Sequence, residues 1–171
     1  NFLSINFQYF SFWIFICFFL QIFISYKIIV TITQNTHYAI LSSFLFLLSP
    51  IFLHRLGLHL ALGGQWLILL AYYFNLCLDQ KKRKIYWILT LIISSYIHAY
   101  FTAMLFIIYL CFVFEEFIKT KNIKKTIKEI LIPTLIVILF MFMLGYFENS
   151  IVNSISIGYG IYNLDLLGIF D

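Results

Sequence analysis

The sequence predicts an all-α polytopic transmembrane bundle with about six membrane-spanning segments in 171 residues. Three observations predict it. Only 11% of the residues are charged, against about 25% in soluble domains, so the chain cannot coat a water-facing globule. The hydrophobic share is 63% and the mean hydropathy +0.99, and the apolar residues fall in runs of helix-spanning length. The basic residues cluster between those runs, as orientation across a membrane requires.

The apolar runs are 7–26, 37–53, 60–78, 85–97, 99–118 and 129–147. A hydrocarbon core of about 30 Å takes about 20 residues of helix. The first, third, fifth and sixth runs meet that length. The second is short and closes at Ser49-Pro50, where proline ends or kinks a helix. Ile85–Ile118 as one helix would reach about 50 Å, too long even when tilted. Lysine placement decides this case. Lys81, Lys82, Arg83 and Lys84 precede the stretch, and Lys119, Lys121, Lys124, Lys125 and Lys128 follow it. Two crossings keep both clusters in the cytoplasm; one crossing separates them. A hairpin is therefore expected, with its tip at "SSYIHAY", Ser94–Tyr100.

The remaining topology follows. Lys27 falls on the cytoplasmic side and residues 28–36 form a short inner loop. Of the 11 Lys and Arg residues, all but Arg55 are then cytoplasmic, and both chain ends lie outside. Residues 1–147 are read as the transmembrane region. Residues 148–171, "ENSIVNSISIGYGIYNLDLLGIFD", are read as an external loop or the start of an external region. A chain that begins at Asn1 and stops at Asp171, straight after an apolar stretch, reads as a fragment.

Several function classes drop out. No HExxH, P-loop, dinucleotide fingerprint or Ser-centred nucleophile motif is present. A net charge of +4 would suggest nucleic acid in a soluble protein, but orientation accounts for these lysines, so no nucleic-acid partner is expected. No internal repeat is visible, which weighs against a transporter of the inverted-repeat kind. Cys17, Cys77 and Cys111 stand singly in apolar runs and read as small core hydrophobes. No cofactor is identified; a divalent metal is left open, without a ligand set.

"SPIFLHRLGLHLALGGQWLILL", Ser49–Leu70, carries the outlying Arg55 with His54 and His59. On a continuous helix, Arg55, His59, Leu62 and Trp66 would share one face. Guanidinium grips phosphate in a bidentate way, imidazole adds a donor, and indole covers a sugar or a lipid chain. The competing reading has Arg55 snorkelling to lipid phosphates, His59 capping a helix and Trp66 packing. Gly63-Gly64 reads as a close-packing device. His98, between Tyr96 and Tyr100, sits at the hairpin tip, either as a functional group held below the surface or as a helix cap. Gln8, Tyr9 and Gln21 mark the first span; packing is favoured for them, with Gln21 bonding another helix. Asp165 is one of three outer acids, with Glu148 and Asp171. It reads as a general base or metal ligand, or as a solvated loop acid. "FIKTKNIKKTIKEIL", Phe117–Leu131, reads as an amphipathic helix on the cytoplasmic surface, drawn to anionic membrane lipids.

Four blocks carry a resemblance: "FQYFSFWIFICFFLQ" (Phe7–Gln21), "SPIFLHRLGLHLALGGQWLILLAYYF" (Ser49–Phe74), "SSYIHAYF" (Ser94–Phe101) and "GYGIYNLDLLGIFD" (Gly158–Asp171). In order, they resemble an uncharacterised bacterial membrane family thought to be related to type C (GT-C) glycosyltransferases, which use lipid-phosphate-linked sugars. The resemblance carries over Gln8, Tyr9, Arg55, His59, Gln65, Trp66, His98, Tyr100 and the Tyr162–Asp165 region as substrate-binding candidates. Ala99 stands where the family pattern has proline. The resemblance also implies that the key acid lies in a first external loop, upstream of Asn1, so the catalytic residue itself is unknown here. It implies a GT-C-like fold and a multi-pass protein of the bacterial inner (cytoplasmic) membrane. The implied activity is transfer of a sugar from a polyprenyl-phosphate carrier to an acceptor at the outer face. The alternatives are a transporter or flippase for a lipid-linked precursor, or a non-catalytic membrane subunit.

Overall fold

The computed structural model describes residues 9–77 and 80–147. The described elements are all helical: α1 (Tyr9–Thr33), α2 (Thr36–Leu47), α3 (Pro50–Leu58), a 3₁₀ turn (Leu60–Gly63), α4 (Trp66–Cys77), α5 (Gln80–Ile97), α6 (Ala99–Thr120) and α7 (Ile123–Met143). Residues 148–171, and with them the expected external region, lie outside the described residues.

Among the described residues, four segments are long and apolar enough to cross a membrane: α1, Leu60–Cys77, α6 and α7. The pair α2–α3, bent by 46°, makes a fifth if it is one span. The six expected spans thus reduce to four or five, for two physical reasons. With 12 residues, α2 is only about 18 Å long. The start of α5 carries Lys81, Lys82, Arg83 and Lys84, leaving an apolar part of about 20 Å. Large apolar side chains cover the outside, with Leu45 72%, Phe15 66% and Met143 71% exposed. Water does not tolerate so much greasy surface; lipid does. This is a membrane protein.

α1 continues past the expected end at residue 26 to Thr33. Thr31 and Thr33 donate their hydroxyls to the carbonyls of Lys27 and Ile29, so these polar residues satisfy themselves on the helix. The expected loop 28–36 shrinks to Gln34 and Asn35. Gln34 adopts a left-handed φ of 54°, and the Asn35 side chain accepts from the His37 and Tyr38 N–H groups, capping α2. α2 folds back on α1, and the residues it buries are small, Ala39 and Ser43. Small residues let backbones approach closely where no hydrophobic force separates helix from lipid. The expected interhelical role of Gln21 is met by its Nε2, which donates to the Phe46 carbonyl at 3.5 Å.

α4 lies between α1 on one side and the α5–α6 pair on the other. Leu67, Ala71 and Phe74 of α4, Trp87 and Leu91 of α5, and Leu105, Tyr109 and Val113 of α6 form the core. The Trp87 indole donates to Asn75 Oδ1 at 3.2 Å, so its one polar atom is not left bare. Of the cysteines only Cys17 is a core residue; Cys111 is exposed on the outer surface of α6, correcting the reading for it.

α5 and α6 form the predicted hairpin. Ser94 donates to Thr102 Oγ1 at 3.1 Å, and the Trp87 and Tyr109 rings lie 5.3 Å apart. These pairs sit symmetrically about His98, as antiparallel helices require. At the far end Lys84 of α5 pairs with Glu129 of α7, which brings both lysine clusters to one end of the bundle. The expected surface helix there is not separate. α6 ends at Thr120, Lys121 turns the chain at a φ of 52°, and Ile123 already begins the long helix α7.

That helix runs through Pro133. Proline has no N–H, so the carbonyl of Glu129 loses its helical partner. The Tyr109 hydroxyl replaces it, donating to the Glu129 carbonyl at 2.7 Å. This is how a proline is kept inside a membrane helix without an orphaned carbonyl.

Candidate functional site

The helix predicted to carry Arg55 through Trp66 breaks at His59. Its backbone is extended, with φ −140° and ψ 92°, as α3 gives way to the 3₁₀ turn. The break rotates everything beyond it. Trp66 leaves the expected stripe and is buried, 7% exposed, within the core. Its indole faces the Cys17 thiol of α1.

The turn is held from two sides. The Trp13 indole on α1 donates to the Leu60 carbonyl at 2.8 Å. Gly63 and Gly64 do pack closely: a Cβ on Gly63 would stand 2.4 Å from Leu56 Cδ1, and one on Gly64 3.1 Å from the Phe101 ring and 3.3 Å from Ile97 Cγ2. Gly64 therefore sets the 3₁₀ turn directly against the α5–α6 tip that carries His98.

At that tip the helix-cap reading of His98 is realised. Its Nδ1 accepts from the Tyr100 N–H at 3.1 Å as the N-cap of α6, and its ring stacks on Tyr100 at 5.5 Å. With Nδ1 engaged as acceptor, the neutral ring carries its proton on Nε2, a donor left over for something else. Ala99 takes the first helical position, where proline is otherwise favoured, so the tip closes without it.

Between the turn and the tip lies a cavity of about 930 Å³. Arg55, His59, Gln65, His98 and Tyr100 supply its polar lining; Ile51, Leu62, Ile68, Phe101 and Met104 supply much of its apolar wall. Arg55 makes no ion pair among the described residues, and no carboxylate appears in the lining. His98 and Tyr100 stand at one end of α5 and α6, with Lys84 and Lys119 about 20 to 30 Å away near the other. Such a cavity can accept an anion beside a hydrocarbon chain.

The structure thus brings Arg55, His59, His98 and Tyr100 together from two stretches of chain, and Gln65 with them. Tyr9 is exposed and outside the lining. Gln8 and Asp165 lie outside the described residues. Met104, Phe101, Ile68 and Ile51 were not singled out in the sequence. Among the described residues no group of three His, Cys, Asp or Glu could hold a metal ion.

Fold and cavity together define the class: an α-helical membrane protein with a basic cavity at the end opposite its lysines. The chain belongs to the family described as domain of unknown function DUF6311, whose model matches residues 1–171. No curated protein and no solved structure matches it.

Proposed function

We propose that the protein is a membrane-integral, glycosyltransferase-like protein of the bacterial cytoplasmic membrane, acting on a polyprenyl-phosphate-linked sugar at the outer face, with its lysines cytoplasmic. One observation carries this reading: a guanidinium and two imidazoles converge on a cavity with an apolar wall and no carboxylate in its lining. A polyprenyl phosphate has the same two halves, an anion and a hydrocarbon chain. The resemblance to type C enzymes supplies the reaction. An acceptor hydroxyl attacks the anomeric carbon of the sugar, a new carbon–oxygen bond forms, and the bond to the phosphate oxygen breaks with its electron pair on the phosphate. The acceptor's proton passes to a base, which is not among the described lining residues. Arg55 and His59 hold the leaving phosphate, and the His98 Nε2–H adds a donor. Stabilising charge that develops in a partly dry site is a strong catalytic lever, and the fork of Arg suits phosphate.

The test is retention of lipid by the full chain in nanodiscs. Polyprenyl phosphate is expected to bind at least about tenfold more tightly than the uncharged polyprenol of equal length, the worth of one charge-assisted contact. Equal retention of the two lipids would contradict a phosphate-holding cavity.

A further inference from the structure

The opposite end of the bundle contains a second cavity, of about 540 Å³. Lys84 of α5, Tyr109 of α6, Lys124, Lys125, Lys128 and one carboxylate, Glu129, of α7, and Asn122 of the α6–α7 turn line it. Ile88, Ile132 and Pro133 form an apolar flank. Two shielded carboxylates neutralise part of this charge. Glu129 pairs with Lys84 and, at 3.9 Å, with Lys125, and Glu116 approaches Lys125 at 3.5 Å. Lys124 and Lys128 have no ion pair among the described residues. They stand one helical turn apart, where like charges repel. Asn122 uses its Oδ1 to accept from the Lys125 N–H at 3.0 Å, which leaves its side-chain amide N–H groups without a partner among the described residues.

Orientation across a membrane explains why lysines occur on this face, but not why four of them line one cavity. Lysines serving only a diffuse attraction to anionic lipid gain nothing by crowding together. Here the crowding is held in place: the Glu129 pair ties Lys84 to α7, and Pro133 together with Tyr109 fixes the backbone at Glu129. We infer that this cavity is a discrete binding site for a phosphate-bearing anion, held by Lys124, Lys128 and the Asn122 amide. The first turn of α7 adds its unpaired N–H groups to the same end. The apolar flank along Ile132 and Pro133 suits the glycerol and acyl portion of an anionic phospholipid. The site is separate from the Arg55 cavity, so either can fail without the other.

The experiment uses the full chain in detergent, titrated with short-chain phosphatidylglycerol and, separately, with inorganic phosphate. One variant is Lys124→Gln with Lys128→Gln. The other is Lys119→Gln with Lys121→Gln, which removes the same charge from the same face without touching the cavity. The cavity variant is expected to weaken phosphatidylglycerol binding roughly tenfold or more, and the control variant less than about threefold. Arginine at 124 and 128 restores binding if charge at the cavity is what matters. If inorganic phosphate competes weakly, the lipid headgroup is the source; if it binds as tightly as the lipid, the same site takes soluble phosphate. Equal weakening by the two glutamine variants, or none by either, would overturn the site and leave only a diffuse field.

Discussion

Arg55→Ala is expected to lower transfer from a polyprenyl-phosphate-linked sugar by about a hundredfold to a thousandfold, the usual loss when one donor to a developing oxyanion is removed. Arg55 is exposed, lines the cavity and makes no ion pair among the described residues, so removing it leaves no buried partner stranded. Expression and thermal stability should therefore match the wild type, and the loss should appear in transfer and in lipid-phosphate binding together. Arg55→Lys keeps the charge but not the planar fork and should recover only part of the rate. Full transfer by a well-expressed Arg55→Ala protein would remove Arg55 from the chemistry.

Tyr109→Phe is expected to destabilise the fold by about 1 to 3 kcal/mol, the cost of a stranded buried polar group. The ring stays and its packing on Trp87 is kept; only the hydroxyl that serves the Glu129 carbonyl is lost. The proline makes this loss specific. In a Pro133→Ala background the backbone regains an N–H at position 133, which can bond to that carbonyl again. Removing the hydroxyl there should cost less than about 1 kcal/mol. A double-mutant cycle of unfolding in detergent measures the difference. Equal costs in both backgrounds would show that the tyrosine does not act as the proline's substitute donor.

Much of the helix pattern was legible because lipid and charge impose simple rules. The lysine clusters around Ile85–Ile118 implied a hairpin, and the Lys84–Glu129 pair places both clusters at one end. Span length was less legible. Nothing in the hydropathy of Lys27–Thr33 showed that its threonines would bond back onto α1 and prolong it. Counting apolar runs also overstated the crossings, because it gave the 12-residue α2 and the lysine-headed α5 the weight of full spans.

The candidate site was legible where polar residues are scarce. Arg55, His59 and His98 stand out in a chain that is 63% hydrophobic, and they line one cavity. Trp66 was misplaced because an unbroken helix was assumed; the extended backbone at His59 changes the phase of everything after it. The apolar wall had no signal at all, since Met104 or Ile68 resembles every neighbour in such a sequence. The lysine-lined cavity was hidden for the opposite reason: the positive-inside rule already accounted for its lysines.

The most direct measurement is the sidedness of single cysteines in intact cells, in a background with Cys17, Cys77 and Cys111 replaced by serine. Cysteines at positions 55 and 100 should react with a membrane-impermeant maleimide added outside, and one at position 124 only after the membrane is permeabilised. If positions 55 and 100 react from opposite faces, or if 124 reacts from the same face as 55, the Arg55 cavity is not the outward-facing pocket that a lipid-linked sugar at the outer face requires.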